Sequence, residues 1–386
     1  MNKKIIIGAV CAGCAAGANA QSSVTLYGLI DAGVSYVSHV KNASGGSSHA
    51  FQYGDGVASG SRWGLRGNED LGGGLQALFV LESGFNSGNG TAGQGGAIFG
   101  RQAYVGLSQK GVGALTLGRQ YSFSTDYLGA GYSNGANMVA GNYAYHFNDV
   151  DQLTSSRINN SVKFASANFA GLTFGGLYGF SNQAGAFAGA PASGTTAGSS
   201  RTYSFGANYA YGAFSVGAAY TDIRYPGQAT PSFSTALSNV STGTARDLRT
   251  FGVGGRLASG PTTLWALWSN TRFEPLSGAS TLYNAYEAGA KYALTAALSA
   301  ALGYTYSRAS GSFKGHWNQI DAGLDYALTK RTDVYLLGIY QRASGTLDNG
   351  QDVQAQIGSS GSSFFQPSGT GSQNQTAVRI GLRHRF

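Results

Sequence analysis

The seven residues Ser61-Arg62-Trp63-Gly64-Leu65-Arg66-Gly67 put large apolar side chains on every second position, at Trp63 and Leu65, and two arginines on the positions between. Side chains of an extended strand point alternately to opposite faces, so one face of this strand is apolar and the other cationic. A soluble sheet packs its apolar face into a core and rarely turns two arginines into an enclosed space. A strand in a closed membrane barrel does the reverse, with lipid outside and water inside.

The pattern recurs on both sides of this stretch. Val24, Leu26, Ile30, Val34 and Tyr36 share one parity, against Thr25, Tyr27, Asp31 and Ser35. Further on, Phe174 and Tyr178, then Tyr203, Phe205 and Tyr209, then Phe214, Val216 and Tyr220 alternate with small or polar residues. Tyr286 and Tyr292 oppose Glu287 and Lys291, and Ile320, Leu324 and Tyr326 oppose Asp321 and Asp325. The segment Leu75 to Leu81 departs from strict alternation, because Leu78 and Val80 join Leu75, Phe79 and Leu81, which reads as a wall covered on both sides. In the closing stretch AVRIGLRHRF, Val378, Ile380, Leu382 and Phe386 take the lipid parity, and Arg379, Arg383 and Arg385 the other.

Connections give an independent count. Short turns are expected at 68–74, 109–113, 168–172, 210–214, 258–262, 293–297 and 327–332. Longer polar loops are expected near 37–57, 86–98, 121–156, 181–200, 225–246, 274–282, 308–315 and 343–374. Seven turns and eight loops join sixteen strands, an even number that leaves both chain ends on one side. An open sheet edge in hydrocarbon would cost several kcal/mol per unpaired backbone group, so the first and last strands must close on each other. The expected fold is all-β, a 16-stranded antiparallel transmembrane β-barrel wide enough for an aqueous channel.

Composition agrees with this reading. The chain has 61 Gly, 23 Tyr and 20 Phe beside 11% charged residues and 6 Pro, which favours strands over helices. Residues 1–20 read as an export signal, with Lys3 and Lys4, an apolar run from Ile5 to Val10 and the cleavage site Ala18-Asn19-Ala20. The domains expected are therefore 1–20 as a cleaved signal and 21–386 as the barrel. Cys14 behind Ala12-Gly13 raises lipoprotein processing, against which Cys11 stands where an aliphatic residue is wanted. Under ordinary cleavage no cysteine remains, so stability rests on the sheet and not on disulfides. The mature segment then holds 23 basic and 17 acidic residues, a balance of +6. That balance suits a pore wall favouring anions; an exported chain without a basic cluster is not expected to bind nucleic acid.

The stretches SSVTLYGLIDAGV, SRWGLRGNEDLGGGLQALF, FGRQAYVGL, LTLGRQY, RINNSVKF and GLRHRF, in this order, resemble the trimeric general porins of Gram-negative bacteria, in their β-proteobacterial branch. The resemblance implies an outer-membrane homotrimer whose barrels are each narrowed by the third loop folded into the lumen. It implies passive diffusion of small ions and polar solutes. It also implies an arginine wall facing acids on that loop. Motif by motif, the wall falls to Arg62, Arg101 and Arg157, with Arg66 and Arg119 as second choices. Parity supports Arg62, whose neighbour Trp63 belongs to lipid; for Arg101 it is divided, with Tyr104 read towards lipid and Phe99 on the arginine's side. The third loop's carboxylates are Asp126, Asp149 and Asp151. Asp126, soon after the strand end, is the first expectation for the acid facing the arginines, weighed evenly against an Asp that bonds loop backbone. Other expected partners are outer-membrane lipid, lipopolysaccharide through extracellular basic residues such as Lys41 and Arg224, and the barrel-assembly machinery through Phe386.

Rival readings have less in the residues. The histidines His39, His49, His146, His316 and His384 lie in no catalytic motif, so an enzyme is not expected. No cofactor is expected, and no histidine pair has metal-ligand spacing. The glycines at 252–255 read as relief of strand crowding and not as a phosphate loop. A substrate-specific channel or a surface adhesin on the same wall is the alternative. Sugar channels would display aromatics along the lumen, whereas Tyr and Phe here mostly take the lipid parity; Tyr127, Tyr132, Tyr143 and Tyr145 in the third loop either line a slot or pack the loop.

Overall fold

A computed structural model describes residues 23–42, 44, 46–193, 195–228, 245–311, 314–347, 350–359 and 369–386. The export signal read at 1–20 lies outside the described residues. Among the described residues, seventeen strand segments form one antiparallel sheet closed on itself. The first, β1 (Ser23–Lys41), pairs at its extracellular half with β2 (Ser47–Asp55) and at its periplasmic half with β3 (Arg62–Gly72). These two segments occupy one strand position, so sixteen strands surround the lumen, as the connection count predicts.

Closure joins β1 to β17 (Asn374–Arg385) in unbroken register from Leu29 opposite Arg385 to Val37 opposite Ala377. Gly28 and Phe386 exchange both backbone hydrogen bonds at the end of the seam, at 3.1 and 3.0 Å. Behind the seam Arg379 is fully buried, donating to the Tyr335 hydroxyl at 2.8 Å and the Gly54 carbonyl at 2.9 Å, with Asp31 3.7 Å away.

Facing follows the alternation read from sequence. Val24, Leu26, Val34, Tyr286, Tyr304, Ile320, Val378, Ile380 and Leu382 are exposed on the outer surface, while Asp31, Ser35, Glu287, Asp321 and Arg379 are buried towards the lumen. The first long connection differs from expectation: β1 and β2 run on to Lys41 and from Ser47, and the irregular backbone lies lower, at 56–61. There the wall leaves its ladder to serve the third loop. Asn142 N–H donates to the Val57 carbonyl at 2.7 Å, and the Asn142 amide to the Gly56 carbonyl at 2.8 Å.

The third loop, residues 122–156, fills one side of the lumen. It opens with helical turns Ser124–Gly129, Ala130–Tyr132 and Asn134–Asn137, and packs Phe123, Leu128, Tyr132, Met138, Val139 and Tyr143 as a buried internal core. The facing wall is β9 (Arg201–Tyr211), β10 (Phe214–Arg224), β11 (Ala245–Ser259), β12 (Thr262–Pro275), β13 (Thr281–Ala293), β14 (Leu298–Gly311), β15 (Lys314–Ala327) and β16 (Thr332–Thr346). It receives the loop on inward glycines. A Cβ at Gly252 would come 2.6 Å from Leu128, one at Gly254 2.6 Å from Tyr132 and one at Gly303 2.5 Å from Asn134. The glycines read as strand relief are thus the contact surface for the loop.

Candidate functional site

Opposite the packed loop, on β3, β5 (Gln102–Gln109), β6 (Gly113–Tyr121) and β7 (Arg157–Ser166), the wall is cationic. A cavity of about 690 Å³ lies between the two sides, lined by Arg101, Arg119 and Arg157 from the wall and by Asn142, Tyr145, Asn148 and Asp149 from the loop. Arg62 stands beside it, near enough to Arg101, Arg157 and Glu82 to feel their charges. Arg62 forms no hydrogen bond or ion pair with the described residues. Arg157 leans over the Tyr121 ring at 5.0 Å and donates to its hydroxyl at 3.1 Å. Arg119 spends its donors on the Gly100 carbonyl at 2.8 Å and on Asn159, which makes it a brace as well as a charge. Arg66 lies outside this group, exposed and stacked over Tyr27 at 5.2 Å.

Arg101 reaches the lumen by a route that parity misreads. It precedes β5, so strand alternation does not govern it, and its Nε donates to Glu82 Oε1 at 2.7 Å. Once the strand begins, Val105 and Leu107 face outwards and Gln102 and Tyr104 face the lumen, so the expectation of Tyr104 towards lipid is corrected. Phe99, read on the arginine's side, packs instead against the outward Trp63 at 6.2 Å.

The three loop carboxylates part company. Asp126 is ion-paired with Lys163 and does not line the cavity, contrary to the first expectation. That lysine lies on the inward face of β7 and also donates to the Tyr121 carbonyl at 2.8 Å, which fixes the start of the loop. Asp151 is buried against the far wall, 2.6 Å from His146 Nδ1 and accepting from Ser269 Oγ at 2.6 Å. His146 Nε2 in turn lies 2.6 Å from Glu287 Oε2, so one imidazole clamps the loop to β13. Burial alone would lower the pKa of His146, but the two carboxylates hold it well above the usual histidine range; the same imidazolium holds Asp151 low against the opposing effect of burial.

Asp149 alone of the three lines the cavity with the arginines. Asn148 and Asp149 both have left-handed backbone, φ 49° and 52°, which these two residue types tolerate better than most. Asp149 accepts from the Ser155 hydroxyl and from Thr154 N–H at 3.2 Å. Burial, then the charge of Asp151, push its pKa up to about 7.

Two further carboxylates belong to the site that the sequence reading did not single out. Glu82 binds Arg101 and accepts from the Tyr27 hydroxyl at 3.1 Å, and Asp55 lines the cavity while accepting from Ser61 Oγ at 2.8 Å and Ser87 N–H at 3.0 Å. Glu82 stands opposite Gly64 on the inward parity that Arg62 shares, which was a legible signal for it. The loop tyrosines mostly pack: Tyr132 and Tyr143 are buried, and Tyr145 lines the cavity.

A closed sixteen-stranded barrel with an internal loop and a gap lined by charged residues is the architecture of an outer-membrane channel. The profile of the family described as Gram-negative porin matches residues 8–346, and the chain belongs to that family. An outer membrane porin protein of Bordetella pertussis is 42% identical over 191 residues, covering 47% of this chain and 49% of that protein. Outer membrane porin protein 32 of Delftia acidovorans is 38% identical over 191 residues, covering 47% and 50%. The chain thus spans about half the length of the curated relatives it matches. Among solved structures, the anion-selective porin from Comamonas acidovorans superposes with a TM-score of 0.75 at 26% identity, covering 95% of this chain and 100% of that one. OmpT of Vibrio cholerae in its trimer form shares the fold, with a TM-score of 0.63 at 14% identity over 95% and 99%.

Proposed function

We propose that this protein is a general diffusion porin of the outer membrane, passing small hydrophilic solutes and ions passively with a preference for anions. The observation that carries this reading is the charge imbalance at the cavity. Arg62, Arg101, Arg119 and Arg157 crowd one wall against Asp55, Asp149 and the Arg101-bound Glu82, while Asp126 and Asp151 are engaged elsewhere by Lys163 and His146. Guanidiniums stay charged at any physiological pH, so the positive wall persists. A solute that sheds part of its hydration in the gap feels that wall in a low-dielectric frame, which strengthens the field. The likeness to the anion-selective porin from Comamonas acidovorans supports the same sign. Nothing in the reading requires catalysis.

A homotrimer is proposed with it, in keeping with the trimer form of the structural neighbour from Vibrio cholerae, as are contacts with lipopolysaccharide and recognition of Phe386 by the barrel-assembly machinery. Reversal potentials across a salt gradient in planar bilayers test the selectivity; cation preference in the wild type would refute it. Single-channel recording of Arg62→Ala, Arg101→Ala and Arg157→Ala tests the assignment, with reduced anion preference expected in each and unchanged selectivity in all three counting against it.

A further inference from the structure

The segment Leu75 to Leu81, where the sequence departs from strict alternation, lies in β4 (Leu75–Gly84), between β3 and β5. Leu78, Val80 and Glu82 share one of its faces, and Glu82 binds Arg101 at the cavity, so that face belongs to the lumen. A wall covered on both sides would bury the two apolar residues. Both instead keep part of their surface accessible, and the third loop rests its first turns on β9 to β13, away from them. Wetted leucine and valine are unfavourable in an aqueous channel, and an apolar solute surface laid on them relieves that contact.

Strand register gives this ledge polar neighbours. Arg66 stands opposite Val80 on β3, and Tyr104 stands opposite it on β5. With neighbouring strands about 4.8 Å apart, the two flank a floor roughly 10 Å wide, room for one aromatic ring. Arg66 is exposed, stacked over the Tyr27 ring at 5.2 Å, and forms no hydrogen bond or ion pair with the described residues; Tyr104 forms no hydrogen bond with them either. The nearby carboxylates are engaged, Glu82 by Arg101 and the Tyr27 hydroxyl, and Asp126 by Lys163. An unpaired cation, a phenol hydroxyl and an apolar floor thus meet on one stretch of wall, roughly 13 Å along β3 from Arg62 towards the turn at 68–74.

We propose that this ledge is a binding station for small carboxylates that carry an aromatic ring, of which benzoate is the simplest. The carboxylate pairs with the Arg66 guanidinium, whose parallel N–H donors match its two oxygens. The ring lies on Val80 and Leu78, and Tyr104 bounds it on the far side. The proposal rests on the anion-preferring porin reading and names the class of anion that the pore retains longest.

Chloride current through the protein in planar bilayers tests it, with three added probes: benzoate, acetate and benzyl alcohol, at about pH 7.5, where both acids are ionised. The fall of current with probe concentration reads occupancy. In the wild type benzoate is expected to reach half-blockade at about a tenfold lower concentration than acetate, the margin that burying one face of a ring gives, and benzyl alcohol to block least. Leu78→Ser/Val80→Thr is expected to lose that margin while its chloride conductance stays near the wild type's, which reports a folded barrel. Arg66→Gln is expected to weaken both acids together. Equal half-blockade by benzoate and acetate in an anion-preferring wild type would overturn the proposal and leave the porin reading standing, whereas cation preference removes that reading and the proposal with it. Benzyl alcohol blocking as well as benzoate would also overturn it. So would an undiminished margin in Leu78→Ser/Val80→Thr, or unchanged benzoate blockade in Arg66→Gln, because the ring or the carboxylate would then sit elsewhere in the lumen.

Discussion

Glu82 determines how much of the charge on Arg101 a passing solute feels, because its carboxylate holds the Nε of that guanidinium. Glu82→Gln is expected to raise the anion-over-cation permeability ratio by about a factor of three, as one unit charge in partly aqueous surroundings is worth roughly 0.5–1 kcal/mol; zero-current potentials read it. Asp149 is expected to make the pore respond to pH. With its pKa pushed up to about 7, its carboxyl is neutral in acid and gains charge as pH rises through neutrality. Anion preference is therefore expected to fall between about pH 6 and pH 8, and Asp149→Asn to flatten that slope. The sign for stability is the same. A carboxyl held more protonated in the folded state than in the unfolded one opposes folding as pH rises from the usual carboxylate range through 7. These residues were unequally legible. Arg62 could be read from parity alone, whereas Arg101 sits just ahead of its strand, where alternation has no force. Asp126 looked well placed by sequence distance, but Lys163, on a strand separated from it in sequence, claims it.

At the level of elements, the third loop stays against one wall because glycines on the facing strands make room for its rings. Gly254→Leu is expected to drive Tyr132 off β11 and shift the loop, changing single-channel conductance while strand content by circular dichroism is kept. A second connection reaches the loop from the last long one. Gln341 accepts from Gln356 N–H at 2.6 Å and donates to Gln319 at 2.8 Å, and Gln319 donates to the Tyr143 carbonyl of the third loop at 3.2 Å. Asn148 N–H also meets the Gly358 carbonyl at 3.2 Å. Gln341→Leu breaks this relay and leaves buried amide groups unmatched, at a cost of about 1–3 kcal/mol. Its expected signature is noisier open-channel current with a normal barrel, and current as quiet as the wild type's would count against the relay.

For the whole molecule, closure is the condition of existence, and the β1–β17 seam carries it with a buried cation. Arg379 has no access to solvent and satisfies Tyr335, Ser35 and Gly54 while facing Asp31. Arg379→Ala removes the buried counter-charge of that carboxylate, which keeps only its hydrogen bonds from Tyr335 and Ser59, and is expected to cost about 3–5 kcal/mol, seen as lost refolding yield into lipid vesicles. Strand number, closure and the facing of most strand residues, Tyr104 on β5 excepted, were determined by the sequence alone, because a period of two and the contrast between lipid and water act on each residue where it stands. The partners of the carboxylates were decided only by the tertiary structure. Burial and pairing depend on which side chains meet across the lumen, and residues such as His146 and Glu287, 141 positions apart, become neighbours only when the barrel has closed around its loop.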